Sequence, residues 1–304
     1  MAKIFVATPM YGGMCAGVYV QSLLSLVGLF SSRGHQVSCA FMFNESLITR
    51  GRNNMAHQFL KTDNDYLFWI DADIKFRPED ALKMLECDLD IIGGIYPKKE
   101  INWEQVRAAA AEGKERLQNY TGSFVVNLPY GSTNVVVRQD QPCEVMALGT
   151  GFMLVKRRVF EKLSKHVKTF KNDMSAMQPG EEIKAFFNTP IEKESGRFLS
   201  EDYDFCMQWR KRGGKVYAAP WCQLGHMGSY LFEGALIPTA EPTTGDNNEP
   251  AKTTRRGKAV VRRSTGNAVG DKVRRRRDED NKQQGNGSSK NGNGKRQQRS
   301  TSSR

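Results

Sequence analysis

The sequence predicts an α/β fold: a parallel, doubly wound half, then a mixed-sheet half, forming a single domain that ends in a disordered basic tail. Three observations carry this expectation. Over the first 95 residues, apolar β-rich runs alternate with helical runs, the pattern of a parallel sheet with crossover helices. Beyond them the runs become short and are separated by turn signals, as in an antiparallel or mixed section. From Pro238 the chain is Thr, Gly, Asn, Gln, Ser, Arg and Lys with almost no aromatics. Such a segment buries too little apolar surface to offset its ordering entropy.

In chain order, Lys3 to Thr8 reads as a first strand stopped by Pro9. Gly12 and Gly13 open a helix over Val18 to Ser32, which Gly34 closes at a C-terminal cap position. Gln36 to Phe43 is a second strand, Thr49 to Leu60 a polar helix, and Tyr66 to Ile70 a fully buried third strand. Pro78 starts a helix that runs to Leu85, with acidic residues in the first turn where the dipole favours them. Asp90 to Ile95 gives the fourth strand. The second half reads as short strands at Ser123 to Asn127, Asn134 to Arg138 and Glu144 to Leu148. Helices at Val155 to Leu163 and Glu201 to Arg212 follow, with a last strand at Lys215 to Ala219.

The net charge of +12 is not spread evenly. Pro238 to Arg304 holds 17 Lys/Arg against 7 Asp/Glu, so residues 1–237 form a nearly neutral body. The tail reads as a tether or electrostatic anchor to nucleic acid, an anionic membrane or a capsid. It lacks the interleaved aromatics that single-strand binding uses. Six scattered cysteines without a C-x-x-C pair read as reduced thiols, not as a disulfide framework or a thiolate zinc site. No secretory signal precedes the first strand. The most apolar stretch, Cys15 to Phe30, contains Gln21, Ser22 and Ser25 and falls short of the roughly 20 apolar residues a membrane crossing needs. A cytoplasmic protein without a transmembrane segment is expected.

Open parallel sheets bind ligands at the carboxyl ends of their strands. Thr8-Pro9-Met10-Tyr11 lies at the end of the first strand and Asp71-Ala72-Asp73 at the end of the third, so the two loops are expected to face one crevice. Asp71 and Asp73 fall on one side of an extended segment, where they repel each other unless a cation lies between them. A hard divalent ion, Mn²⁺ or Mg²⁺, which prefers oxygen ligands and keeps substrate phosphates in its shell, suits that position. The alternative for D-x-D is a solvated turn or helix cap. Arg50 and Arg52 suit phosphate or carboxylate, and Asn53 suits a base or ribose; surface arginines on a polar helix are the plainer reading. Gly149-Thr150-Gly151 allows either close approach to a ligand or a tight turn. In Ser200-Glu201-Asp202-Tyr203-Asp204 the carboxylates either cap a helix or supply a general base. His226, between Gly225 and Gly228, is either structural or a further metal ligand.

Together these residues resemble the GT-A glycosyltransferases. They look most like the compact enzymes of bacteria, phages and large algal viruses that share segments such as "SLITRGRN", "LFWIDADIKFRPEDALKML", "DIIGGIYPKK" and "LGTGFMLVKR". The resemblance spans about residues 3 to 230 and none of the tail. It implies a Rossmann-like nucleotide-binding half and an acceptor half. It implies that Thr8, Pro9, Met10 and Tyr11 line the base and ribose pocket, with Arg52 and Asn53 near the nucleotide. Asp71, Ala72 and Asp73 form the D-x-D segment that holds Mn²⁺ or Mg²⁺ on the diphosphate, with His226 as the later ligand. Gly93, Gly94 and Gly149 to Gly151 border sugar and acceptor, and Glu201 or Asp202 is the base, with Asp204 a third candidate. The implied activity is hexosyl or deoxyhexosyl transfer from a nucleotide sugar, UDP-linked by default, to a glycan or other hydroxyl acceptor. Two rivals remain at this point. A nucleotidyltransferase acting on sugar phosphates usually carries a Lys in the loop after the first strand, which Pro9 to Met14 lacks. A non-catalytic nucleic-acid-binding protein would act through the tail.

Overall fold

The computed structural model describes residues 1–115, 117–124, 134–173, 180–193, 195–234 and 258–262. Strands β1 (Lys3–Met10), β2 (Gln36–Phe43) and β3 (Tyr66–Ile70) lie side by side and parallel, with β1 between the other two. Helices α1 (Gly17–Ser32) and α2 (Ile48–Leu60) connect them. Every residue of β3 is buried, as a strand covered on both faces requires. Its side chains alternate: Leu67 and Trp69 join the core of Met55, Ala56 and Phe59 from α2, while Phe68 and Ile70 join that of Leu23, Leu26 and Phe30 from α1.

β4 (Ile74–Lys75), α3 (Pro78–Glu86), β5 (Ile91–Gly93), α4 (Trp103–Ala111), β6 (Asn134–Arg138), β7 (Cys143–Val145) and β8 (Phe152–Lys156) follow. Then come α5 (Arg157–Ser164), β9 (Thr169–Lys171), β10 (Glu182–Lys184), α6 (Glu201–Arg210), β11 (Val216–Ala218), β12 (Gly225–Met227), β13 (Leu231–Glu233) and β14 (Lys258–Arg262). The main sheet has seven strands in the order β2-β1-β3-β8-β5-β11-β7. β8 runs antiparallel to both β3 and β5, β11 is parallel to β5, and β7 is antiparallel to β11. The α/β class and its two halves, one parallel and one mixed, are therefore as the sequence predicts.

Several boundaries differ. Phe152 to Val155 is not a lead-in to a helix beginning at Val155 but a central strand, and α5 starts only at Arg157. Phe152, Met153, Leu154 and Val155 are all buried, which fits a strand between two others. The helical period begins only with Val159, Phe160 and Leu163. Because β8 separates β3 from β5, the fourth strand of the parallel half is not in contact with the third. β1 continues through Pro9 to Met10, paired with Met42 and Phe43 of β2. Its ladder to β3 ends at Ala7, so Pro9 falls where one side of the strand is unpaired, a tolerated place for proline. The fourth strand is shorter than expected, Ile91–Gly93, as is β7, which ends at Val145. Of the strand expected over Ser123 to Asn127, residues 125–127 lie outside the described residues, and Ser123 and Phe124 are in no strand. α4 was not expected, although Asn102 signals it. The Asn102 side chain accepts from the Gln105 amide (3.0 Å) ahead of an alanine run.

By contacts the chain divides into Met1–Arg263 and Ser264–Arg304, the second of which lies outside the described residues. Within the segment assigned to the tail, β14 pairs antiparallel with β6. Among the described residues, no helix is long and apolar enough to cross a membrane.

Candidate functional site

β1, β3, β5 and β11 run in one direction, so their carboxyl ends share one edge of the sheet, where crevices form. Asp71 follows β3 directly. Its amide donates to the Gly151 carbonyl (3.0 Å), which fixes the acidic loop against Gly149-Thr150-Gly151. The Ala72 carbonyl accepts from the Ala16 amide (2.8 Å) at the start of α1. Residues just past Asp73 form β4, and β12 pairs with it antiparallel, His226 opposite Ile74. The Met227 amide then donates to the Asp73 carbonyl (2.8 Å). Backbone pairing thus brings a histidine distant in sequence to the acidic loop.

Asp73 Oδ2 accepts from Lys99 Nζ (2.6 Å) and lies 3.5 Å from His226 Nε2. Burial raises the Asp73 carboxyl pKa, but the His226 and Lys99 interactions outweigh it and leave the group below its ordinary value. His226 Nδ1 lies 3.0 Å from the Pro97 carbonyl and can only donate to it. The charged ring turns Nε2–H to Asp73, the interaction that lowers the Asp73 pKa, and the neutral ring leaves at Nε2 the lone pair that a metal could take, with Nδ1–H held by a backbone carbonyl as is common for metal-ligating histidines. A carboxylate oxygen and an imidazole nitrogen that converge in this way fit Mn²⁺ or Mg²⁺. Among the described residues no group of three or more His, Cys, Asp or Glu is placed to hold an ion.

Arg52 is not a surface arginine. Its side chain is 4% exposed. Nη2 donates to Asp71 Oδ1 (3.1 Å) and Nε to Glu201 Oε1 (3.3 Å), while the guanidinium lies 5.3 Å from the Trp69 ring centroid. Burial disfavours the Arg52 charge, yet Asp71 and Glu201 more than compensate and raise its pKa. Asn53 is buried alongside. Its amide donates to the Phe187 carbonyl (2.9 Å) and its carbonyl accepts from the Phe187 amide (2.8 Å), so it pins that segment. Arg50 instead pairs with Glu45.

Glu201 opens α6, 13% exposed and tied to Arg52. Asp202 Oδ1 accepts from the Ser200 hydroxyl and from the Tyr203 amide (2.8 Å). Asp204 accepts from Gln208 Nε2 (2.6 Å), and burial, its main perturbation, raises its carboxyl pKa.

The remaining sequence candidates are placed as follows. The Thr8 hydroxyl is buried 2.6 Å from the Tyr19 hydroxyl, and Met10 is buried in the α1-side core. Pro9 is half-buried and Tyr11 is exposed on the crevice side of β1. Gly93 and Gly94 lie inside the sheet; a Cβ on Gly93 would meet the Phe152 carbonyl oxygen at 2.8 Å, and one on Gly94 would meet Leu224 at 2.6 Å. Thr150 is buried, its hydroxyl without a partner among the described residues. Two residues at the site were not singled out from sequence, Tyr96 and Lys99. Both lie in the segment "DIIGGIYPKK", but nothing in their local pattern points to chemistry. Their place follows from the chain leaving β5 and crossing beside β12.

Comparison by sequence finds no matching family model and no significant match among curated proteins. Among solved structures the chain is similar to A197 from STIV, at 14% identity and a TM-score of 0.42, covering 84% of this chain and 99% of that one. It is also similar to GalNAc-T7, solved with UDP, GalNAc and Mn²⁺, at 12% identity and a TM-score of 0.38, over 77% of this chain. The matched part is 45% of the GalNAc-T7 chain, so the chain spans under half of that protein's length.

Proposed function

We propose that this protein is a metal-dependent glycosyltransferase that moves a sugar from a nucleotide-sugar donor to a hydroxyl acceptor. The observation that carries the reading is the convergence of Asp73 Oδ2 and His226 Nε2, 3.5 Å apart, beside the Arg52-bridged pair Asp71 and Glu201. Asp73 and His226 would hold a divalent cation, which when bound supplies charge neutralisation on a diphosphate, while Asp71, paired with Arg52, is not placed with them as a third ligand.

The chain's own residues account for the rest. Lys99, already at Asp73, offers a second cation to the departing phosphates. Arg52 bridges Asp71 and Glu201 through Nη2 and Nε, which holds the donor-side and acceptor-side carboxylates at a fixed separation, and its buried Nη1 has no partner among the described residues. Asp202, with one oxygen anchored to Ser200 and Tyr203, is the better base of the two. It orients its other oxygen and takes the acceptor hydroxyl's proton as the glycosidic bond forms. The nucleotide would lie along the carboxyl ends of β1 and β3, with Tyr11 exposed beside it. On this reading the catalytic domain is residues 1–237 and the basic tail serves attachment.

The test is Mn²⁺-dependent hydrolysis of a panel of nucleotide sugars by the full chain and by Asp73→Asn. Wild type is expected to turn over at least one donor only with metal, and the variant to lose that activity while keeping its thermal unfolding profile. Unchanged turnover in Asp73→Asn overturns the metal assignment.

A further inference from the structure

Resting on the proposed transfer reaction, we propose that Tyr96 is the residue that contacts the donor sugar, its hydroxyl donating a hydrogen bond to a ring hydroxyl of the transferred sugar. Tyr96 leaves the end of β5 and inserts into the middle of the site. Its hydroxyl oxygen accepts from the Gly151 amide (3.3 Å). Its ring meets the His226 imidazole edge-on, centroids 5.3 Å apart. Both glycines of the Gly149-Thr150-Gly151 loop are explained by this one side chain. A Cβ on Gly149 would lie 2.2 Å from the Tyr96 hydroxyl oxygen, and one on Gly151 would lie 2.7 Å from Cζ. The loop is glycine where the phenol presses against it.

The hydroxyl therefore has a fixed position with an unspent donor. The Gly151 contact uses its oxygen as acceptor, and among the described residues nothing accepts its proton. The Gly151 contact locates it: the Gly151 carbonyl accepts from the Asp71 amide (3.0 Å), and the Tyr96 ring lies against His226. Asp71 belongs to the diphosphate side and Asp202 to the acceptor side, and the sugar in transit must lie between them. An O–H held there without an acceptor of its own gains a partner when a sugar oxygen arrives, and such a donor discriminates strongly against a sugar that lacks the oxygen.

The experiment uses the full chain and Tyr96→Phe, which removes one oxygen and keeps the ring that fills the space beside Gly149 and Gly151. Titration calorimetry with Mn²⁺ measures binding of UDP and of UDP-glucose, and hydrolysis gives kcat/KM for UDP-glucose and its deoxy analogues. Tyr96→Phe is expected to bind UDP as wild type does and to lose about tenfold on the sugar nucleotide, one neutral hydrogen bond's worth. One deoxy analogue should show that loss with wild type and no further loss with the variant, as coupled partners do. Equal losses for UDP and UDP-glucose make Tyr96 a structural wedge and overturn the inference, as does no loss for either. Should Tyr96→Phe not fold, the wild-type deoxy series alone decides, since equal kcat/KM across it excludes a hydroxyl-specific contact. UDP-glucose is replaced by whichever donor the nucleotide-sugar panel identifies, and if wild type binds no member of that panel, the transferase reading itself falls.

Discussion

Asp202 and Asp204 sit two residues apart at the start of one helix, and their surroundings separate them chemically. Asp202 is anchored through one oxygen to the Ser200 hydroxyl and the Tyr203 amide, and its charge contributes to raising the Tyr96 pKa. Asp204 is held by Gln208 and is perturbed chiefly by burial, which raises its pKa. A carboxyl with a raised folded-state pKa contributes fully to stability below its unfolded pKa, near 4, and that contribution is lost as pH rises through the folded value. Asp204→Asn is therefore expected to melt roughly 1–3 °C higher than wild type at pH 7, with the gap closing toward pH 4. It should also keep transferase activity, whereas Asp202→Asn should lose most of its kcat with nucleotide binding intact. Thermal unfolding at the two pH values and steady-state kinetics check both outcomes. A dead Asp204→Asn would move the base assignment two residues along the helix, to Asp204.

At the scale of elements, the insertion of β8 between β3 and β5 matters most. It buries Phe152 to Val155 on both faces and brings Gly151 beside Asp71. It also demands glycine on the neighbouring strand, because the Gly93 Cα faces the Phe152 carbonyl. Gly93→Ala must part β5 from β8 or push Leu148 aside, at a cost of about 3 kcal/mol, the upper part of the usual overpacking range. Urea denaturation should show that loss as a lower midpoint with an unchanged slope. An unshifted midpoint would mean that the two strands have room to separate. Glycine at 93 was legible as a candidate for approach to a ligand. Its neighbour in the fold is a backbone carbonyl, which no local pattern in the sequence could have identified.

For the whole molecule, the separation of charge is the organising feature. The tail from Pro238 carries 17 basic residues, while the site is assembled from residues between Asp71 and His226 together with Arg52 on α2. Deleting residues 238–304 is expected to leave sugar transfer largely unaltered and to weaken salt-sensitive adsorption to polyanions. Kinetics of the truncated chain, and its retention on heparin across a salt gradient, test the two halves of that statement. A dead truncation would place the boundary later, with the β6–β14 pairing as the first suspect.

The sequence by itself determined the α/β class, the boundaries of β2, β3 and α1 to within a residue, and the acidic loop at the end of β3. These follow from side-chain periodicity and from chain chemistry that acts over a few residues. It also nominated Arg52, Glu201, Asp202 and His226, because charged and imidazole groups at helix starts and strand ends have a short list of uses. Only the tertiary structure decided what those groups do to one another. Arg52 and Glu201 are 149 residues apart and meet in a part-buried ion pair. His226 reaches Asp73 through a two-residue ladder between β12 and β4. Tyr96 reaches the glycine loop because β5 packs beside β8. Local sequence encodes which segments become strands, but the pairing of distant strands is set by the burial of the whole core, and the site is assembled from those pairings.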